Sequence, residues 1–453
     1  MMLRLIFPDD WQPERRWIAD LVLGQFLGLQ HETVFAPAGQ ARIEAAGRTL
    51  ALADAFFCGE RTPQGEARAW RVAASGLDAR LCEPEVPVLF GSAGFEADAG
   101  GNAILSLDVL GSAFFMLSRY EEAVSAERDQ HDRFPVQHSL AARRDFLERP
   151  IVDEYVEILW AAMRRVWPTL ERKRRNARTL VSCDVDLPFD PACGSVARLG
   201  KRLLGCAWRE RSPRAMVAAA ANYLAVRRGD QQRDPYWHAL FWMMDVNEQA
   251  GRQLTFNFIP VPTDGAMDNA PRVDDARLRA LLRIIHCRGH LIGIHPGYNT
   301  YRYPEAFARS VATLRRVLEQ ERIGQDELGG RQHYLRWDAA TTPRLWAEQA
   351  LSYDSTLSYP TRAGFRTGTC HEYTMFDLAA RRALNVRQRP LVVMENAVID
   401  AVNMGLGHGE AALAAMQRFK RLCHQFDGDF TLLWHNSSFA CDADRATYRA
   451  LVA

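Results

Sequence analysis

From residue 179 onward, short apolar runs recur between helix-patterned stretches, at 179–183, 254–259, 291–294, 333–335, 391–394 and 430–434. Strand-like segments alternating with helices demand a largely parallel sheet covered by helices, either open or closed into a barrel. In such folds the chemistry collects at the carboxyl ends of the strands. Polar residues just past these runs are therefore the first candidates for function.

At 453 residues the chain exceeds one ordinary domain of roughly 100–200 residues, so two are expected. The first stretch reads as mixed α/β, with a strand at 3–7, a helix at 18–27 and a further apolar element at 51–57. Between 107 and 122, Val109, Ala113, Met116 and Leu117 share a helical face. RPIVDEYVEILWAAMRRVW, starting at Arg149, places Ile151, Tyr155, Ile158, Leu159 and Met163 on one side of a long amphipathic helix, with Pro150 suited to its first turn. The basic run ERKRRNAR at 171–178 then breaks the apolar pattern. It fits a solvated linker better than a nucleic-acid patch, because no aromatic residues are interleaved. These features predict a mixed α/β domain over 1–170 and a larger barrel-type domain over 171–453.

Lysine and arginine total 56 against 55 aspartates and glutamates, so no global field draws the chain to nucleic acid or to an anionic membrane. Nine cysteines without a CxxC pair fit a reducing compartment. The opening MMLRLIFPDD lacks the apolar core of a signal peptide. The alanine-rich stretch 215–226 falls short of the roughly 20 residues that cross a bilayer. A cytoplasmic protein without a membrane span is expected; its oligomeric state is not legible.

Four polar clusters carry candidate chemistry. In TLVSCDVDLPFD, Asp184 and Asp186 sit two apart at a strand end and so project the same way. Like charges that close favour a cation between them or a raised pKa on one; an acidic turn is the ordinary alternative. In GHLIGIHPGYN, His295 follows an apolar strand and Asn299 can offer an amide oxygen from the next turn, while His290 lies at the opposite end. In GGRQHYLRW, Arg331, His333, Tyr334 and Arg336 follow Gly329 and Gly330, as a polar wall or as surface ion pairs. His333 is a second candidate ligand if a metal needs another imidazole. LLWHNSSF ends on His435, whose pKa near neutrality suits a general acid. Each cluster alone has a structural explanation; four at strand ends in one stretch favour a shared site.

In order and type, these motifs over about 175–440 resemble the polysaccharide deacetylases with a NodB-type homology domain. The resemblance implies a distorted (β/α) barrel and a metal-dependent hydrolase that removes an N-acetyl or similar acyl group from a carbohydrate or glycoconjugate. It assigns Asp184 as catalytic base and Asp186 as a metal ligand, with His295 and Asn299 beside it. His435 becomes the catalytic acid. Arg331, His333, Tyr334 and Arg336 line the groove, with a backbone donor near Tyr334. GFRTGT with Arg366, after Tyr353–Asp354, stands where an acidic residue tunes the catalytic pair. The implied cofactor is a divalent metal, zinc first, with cobalt or nickel able to replace it. AFFMLSRYEE, HDRFP and RPIVDEYVEIL resemble a domain of unknown function that precedes such barrels in bacterial surface-polysaccharide systems.

The sequence departs from that pattern where Val185 separates the acidic pair, where Asn299 replaces a histidine, and where Gly297 replaces a serine or threonine. An Asp, His and Asn set holds zinc less firmly than Asp, His and His. A catalytically silent carbohydrate-binding protein is accordingly the second expectation.

Overall fold

Leu3, Leu5, Ile6 and Phe7 are buried and Arg4 exposed, so the strand has one face open at its start and is covered on both faces from Leu5 to Phe7. In the computed structural model, which describes residues 1–37, 39–63, 68–208 and 211–453, this is β1 (Leu3–Pro8). It is followed by β2 (His31–Ala36), β3 (Arg42–Ala45), β4 (Arg48–Leu52), β5 (Arg68–Arg71), β6 (Glu85–Val88), β7 (Gly91–Ala97) and β8 (Ala103–Leu107). Six of these form a mixed sheet in the order β2-β1-β3-β4-β8-β7, and β5 pairs with β6. The amphipathic helix forms over Ile151–Val166 and buries Ile151, Tyr155, Ile158, Leu159 and Met163 completely. The helix expected at 18–27 begins at Gln12 and continues in π-helical form over Asp20–Phe26.

The second unit begins with β9 (Arg178–Val185), β10 (Leu254–Phe258) and β11 (Leu291–Ile294). The chain then supplies β12 (Tyr353–Asp354), β13 (Tyr373–Asp377) and β14 (Arg382–Gln388) to the first unit, before β15 (Val393–Met394) and β16 (Asp429–Leu433). The sheet order is β11-β10-β9-β16-β15, with β10 parallel to both β9 and β11 and β15 parallel to β16. Every residue of β10 and of β16 is buried, as expected where helices cover both faces. A parallel bridge from Ile294 to Gly330 extends the ladder. This is the α/β class expected, with a largely parallel five-stranded sheet in the second unit and a mixed sheet in the first, which is the larger of the two and not the smaller.

Two expectations change. The compact units are discontinuous: residues 335–392 and 418–430 belong with 1–178, and the second unit comprises 179–334, 393–417 and 431–453. The cause is core completion, since Tyr359, Tyr373 and Phe376 join the core of the first unit and Trp17 Nε1 donates to the Thr374 carbonyl at 3.0 Å. The strand expected at 333–335 is a single 3-10 turn, with Tyr334 at φ 60° and Leu335 at φ 55°. Pairing stops at Gly330, where a Cβ would lie 1.9 Å from the Ile294 carbonyl oxygen.

Candidate metal centre and active site

Asp184 occupies the end of β9 and Asp186 follows it; His295 follows β11, Glu395 follows β15 and His435 lies just beyond β16. The carboxyl ends of four strands thus supply the site. His295 and His333 approach Asp186 Oδ1 with Nε2, at 3.2 Å and 3.6 Å. The ligand atoms of these three residues all lie within 4.8 Å of one another.

The far side of each imidazole is already committed. His295 Nδ1–H donates to the Arg331 carbonyl at 2.6 Å, and His333 Nδ1–H donates to Asp268 Oδ1 at 2.7 Å. Such bonds fix the tautomer and aim Nε2 at the shared point, as metal-binding histidines are held. Asp186 Oδ1 is buried and makes no hydrogen bond. An oxygen left so would be costly without a cation, and one carboxylate with two imidazoles suits a divalent ion such as zinc. The donor set therefore fits the implied metal.

Asp268 is fully buried and accepts from the backbone N–H groups of Thr263, Asp264 and Tyr298. Burial pushes its carboxyl up, but these bonds and His333 outweigh that and hold it at about 2. For His333 burial opposes the charge, while Asp186 and Asp268 raise the ring to about 9.

Asp184 is buried, with Oδ1 accepting from Asn257 Nδ2 at 2.7 Å and Arg331 NH1 at 3.0 Å. Burial favours its neutral form, yet Arg331, His295 and His435 prevail and keep it below the usual carboxylate range. Its Oδ2 lies 3.7 Å from His295 Nε2. His435 Nδ1–H donates to Glu395 Oε1 at 2.6 Å and its Nε2 stands 3.6 Å from Asp186 Oδ2. Burial lowers the pKa of His435, but Glu395, Asp186 and Asp184 raise it to about 10. Among these groups Asp186 and His435 keep side-chain exposures of 27% and 13%, while His295 and His333 have 2% and 4%. Solvent reaches the cluster past the first two.

Several assignments move. Asn299 donates its amide to the Thr263 carbonyl at 3.2 Å, and His333 stands in the ligand cluster expected to hold it. Gly297 has a packing reason: a Cβ there would meet Asp268 Oδ2 and Thr263 Oγ1 at 2.8 Å. Arg331 holds Asp184 and Ser182 instead of lining a groove. Tyr334 packs edge-on against His333 and Tyr298. Arg336 and Arg366 belong to the first unit. Arg336 donates to the His131 carbonyl at 2.8 Å. Arg366 forks onto buried Glu122 at 2.9 Å and 2.7 Å and donates to the Ser358 carbonyl at 2.6 Å. A substrate-binding role fits neither. Asp354 likewise lies in the first unit and accepts from Thr356 N and Trp337 Nε1.

Sequence reasoning missed Glu395, Asp268 and Asn257. Glu395 directly follows the run at 391–394, so the rule that selects Asp184 would have selected it. Asn257 is a polar residue within an apolar strand; Asp268 sits in a loop with no signal of its own.

Residues 4–168 match a family of unknown function, DUF7033. No curated protein matches the chain. Among solved structures, a candidate polysaccharide deacetylase from Mycobacterium smegmatis aligns at a TM-score of 0.39 and 15% identity, over 63% of this chain and 84% of that one. Puue allantoinase aligns at 0.36 and 13%, over 63% and 85%.

Proposed function

We propose that the second unit is a metal-dependent hydrolase that removes an N-acetyl or similar acyl group from a carbohydrate or glycoconjugate. The observation that carries this reading is the convergence of His295 and His333 Nε2 on a buried Asp186 oxygen without a hydrogen bond. Asp186, His295 and His333 hold the divalent ion, which supplies polarisation of the acyl carbonyl and acidification of water. Asp184, kept ionised by Arg331 and Asn257, takes the proton of the attacking water. His435, held by Glu395 and facing the solvent-reached side, gives a proton to the departing amine. Arg331 and Asp268 are positioning residues. Tyr334 forms part of the substrate wall.

The silent carbohydrate-binding alternative drew on Asn299 and Gly297. His333 in the ligand cluster and the fit of Gly297 against Asp268 answer both points, which supports turnover. Acetate and formate release from N-acylated amino sugars by the metal-loaded chain tests the reading. The expected result is acetate release that falls by roughly 10²–10⁴-fold in Asp184→Asn. Full activity in that variant, or sugar binding without release of either acid, contradicts it.

A further inference from the structure

Between β9 and β10 the second unit carries two helices, Val196–Trp208 and Pro213–Arg227. They pack against each other and against Pro191–Gly194, and the second also packs against Gln231–Arg233. Only Cys206 is buried in the first helix and no residue in the second, although the second is largely alanine, valine and leucine. Trp208 is 83% exposed and Val217 70%, with Val196, Leu204 and Leu224 also open to solvent.

At about 100° per residue, Val196, Leu204 and Trp208 share roughly a third of the first helix's circumference. Arg198, Lys201 and Arg202, all exposed, fill the adjoining sector. On the second helix Val217 and Leu224 share the exposed side with Arg214. Neither helix contains an aspartate or glutamate.

Large apolar side chains left open on both helices of one packed pair mark an interaction surface, and the charge beside them selects the partner. A second copy meeting it through the same face would set cation against cation. An anionic bilayer matches both halves, with apolar side chains entering the headgroup boundary and the flanking cations meeting lipid phosphates. No helix among the described residues is long and apolar enough to cross a membrane, so the pair would lie along the surface. We propose that the helical pair Val196–Trp208 and Pro213–Arg227 docks this protein on anionic lipid bilayers.

Cosedimentation of the full chain with vesicles tests this, using equal parts phosphatidylglycerol and phosphatidylcholine beside phosphatidylcholine alone. Wild type should sediment with the mixed vesicles only. Leu204→Asp combined with Trp208→Asp should weaken partitioning by at least about tenfold. Arg198→Glu combined with Lys201→Glu should weaken it by roughly fivefold or more for each cation. These side chains are exposed, so unchanged thermal midpoints should accompany the loss. Three results overturn the proposal: no sedimentation of wild type with mixed vesicles, equal sedimentation of all variants, or a wild-type dimer that the variants dissociate without any lipid binding. The readout involves no catalytic residue and is independent of the proposed activity.

Discussion

His295 and His333 commit Nδ1 to the Arg331 carbonyl and the Asp268 carboxylate, which leaves one lone pair each for Asp186 to share through an ion. His435 is built on the same plan, with Glu395 behind it. Because Glu395 touches His435 and not the reacting atoms, Glu395→Gln should lower kcat by roughly 10–100-fold with KM little changed. It should also shift the acidic-group limb of the kcat–pH profile downward, since the carboxylate raises the His435 pKa. A change in KM alone, or an unmoved pH profile, would reduce Glu395 to a structural role. Asp184, Asp186, His295 and His435 were legible because apolar runs end on them. His333 was legible only as an alternative, since its segment is a turn whose positive-φ geometry follows no periodicity. Asp268 was not legible, because a loop residue is brought to His333 by tertiary folding alone.

At the level of elements, the recurrent strands were legible because parallel strands buried on both faces leave continuous apolar runs. The run at 333–335 misled because three residues carry no usable period, and pairing had already stopped at Gly330. Helix ends give a separate test. Asp108 caps the helix Val109–Leu117, accepting from Gly111 N at 2.7 Å and Phe56 N at 2.8 Å. Its burial pushes the carboxyl from 3.8 to about 7 against the pull of those donors. A folded pKa above the unfolded one means that the folded state binds the extra proton. The stabilisation is therefore fully present below pH 3.8 and is lost as pH rises through about 7. Asp108→Asn cannot ionise, so relative to wild type it should gain on the order of 2 kcal/mol between about pH 5 and pH 8. Denaturant midpoints across that range check the slope; a difference constant with pH would contradict the raised value.

For the molecule as a whole, the division was half legible. The break near residue 170 shows in composition, but nothing in the sequence marks 335–392 and 418–430 as parts of the first unit. Their membership comes from long-range contacts, among them the Arg366–Glu122 fork and Thr369 Oγ1 and Cys370 N donating to Asp153 at 2.6 Å and 2.9 Å. A fragment of residues 1–170 should accordingly lack a cooperative unfolding transition and be cleaved rapidly by protease, while the full chain resists. A cooperative, protected fragment would show that the later segments are dispensable. The most direct measurement is the metal content of purified full chains, compared among wild type, His333→Ala and Asn299→Ala. Wild type and Asn299→Ala should each hold about one divalent ion, with His333→Ala depleted, because three protein ligands make a catalytic zinc site. Full content in His333→Ala, or depletion in Asn299→Ala alone, would contradict a centre built on Asp186, His295 and His333.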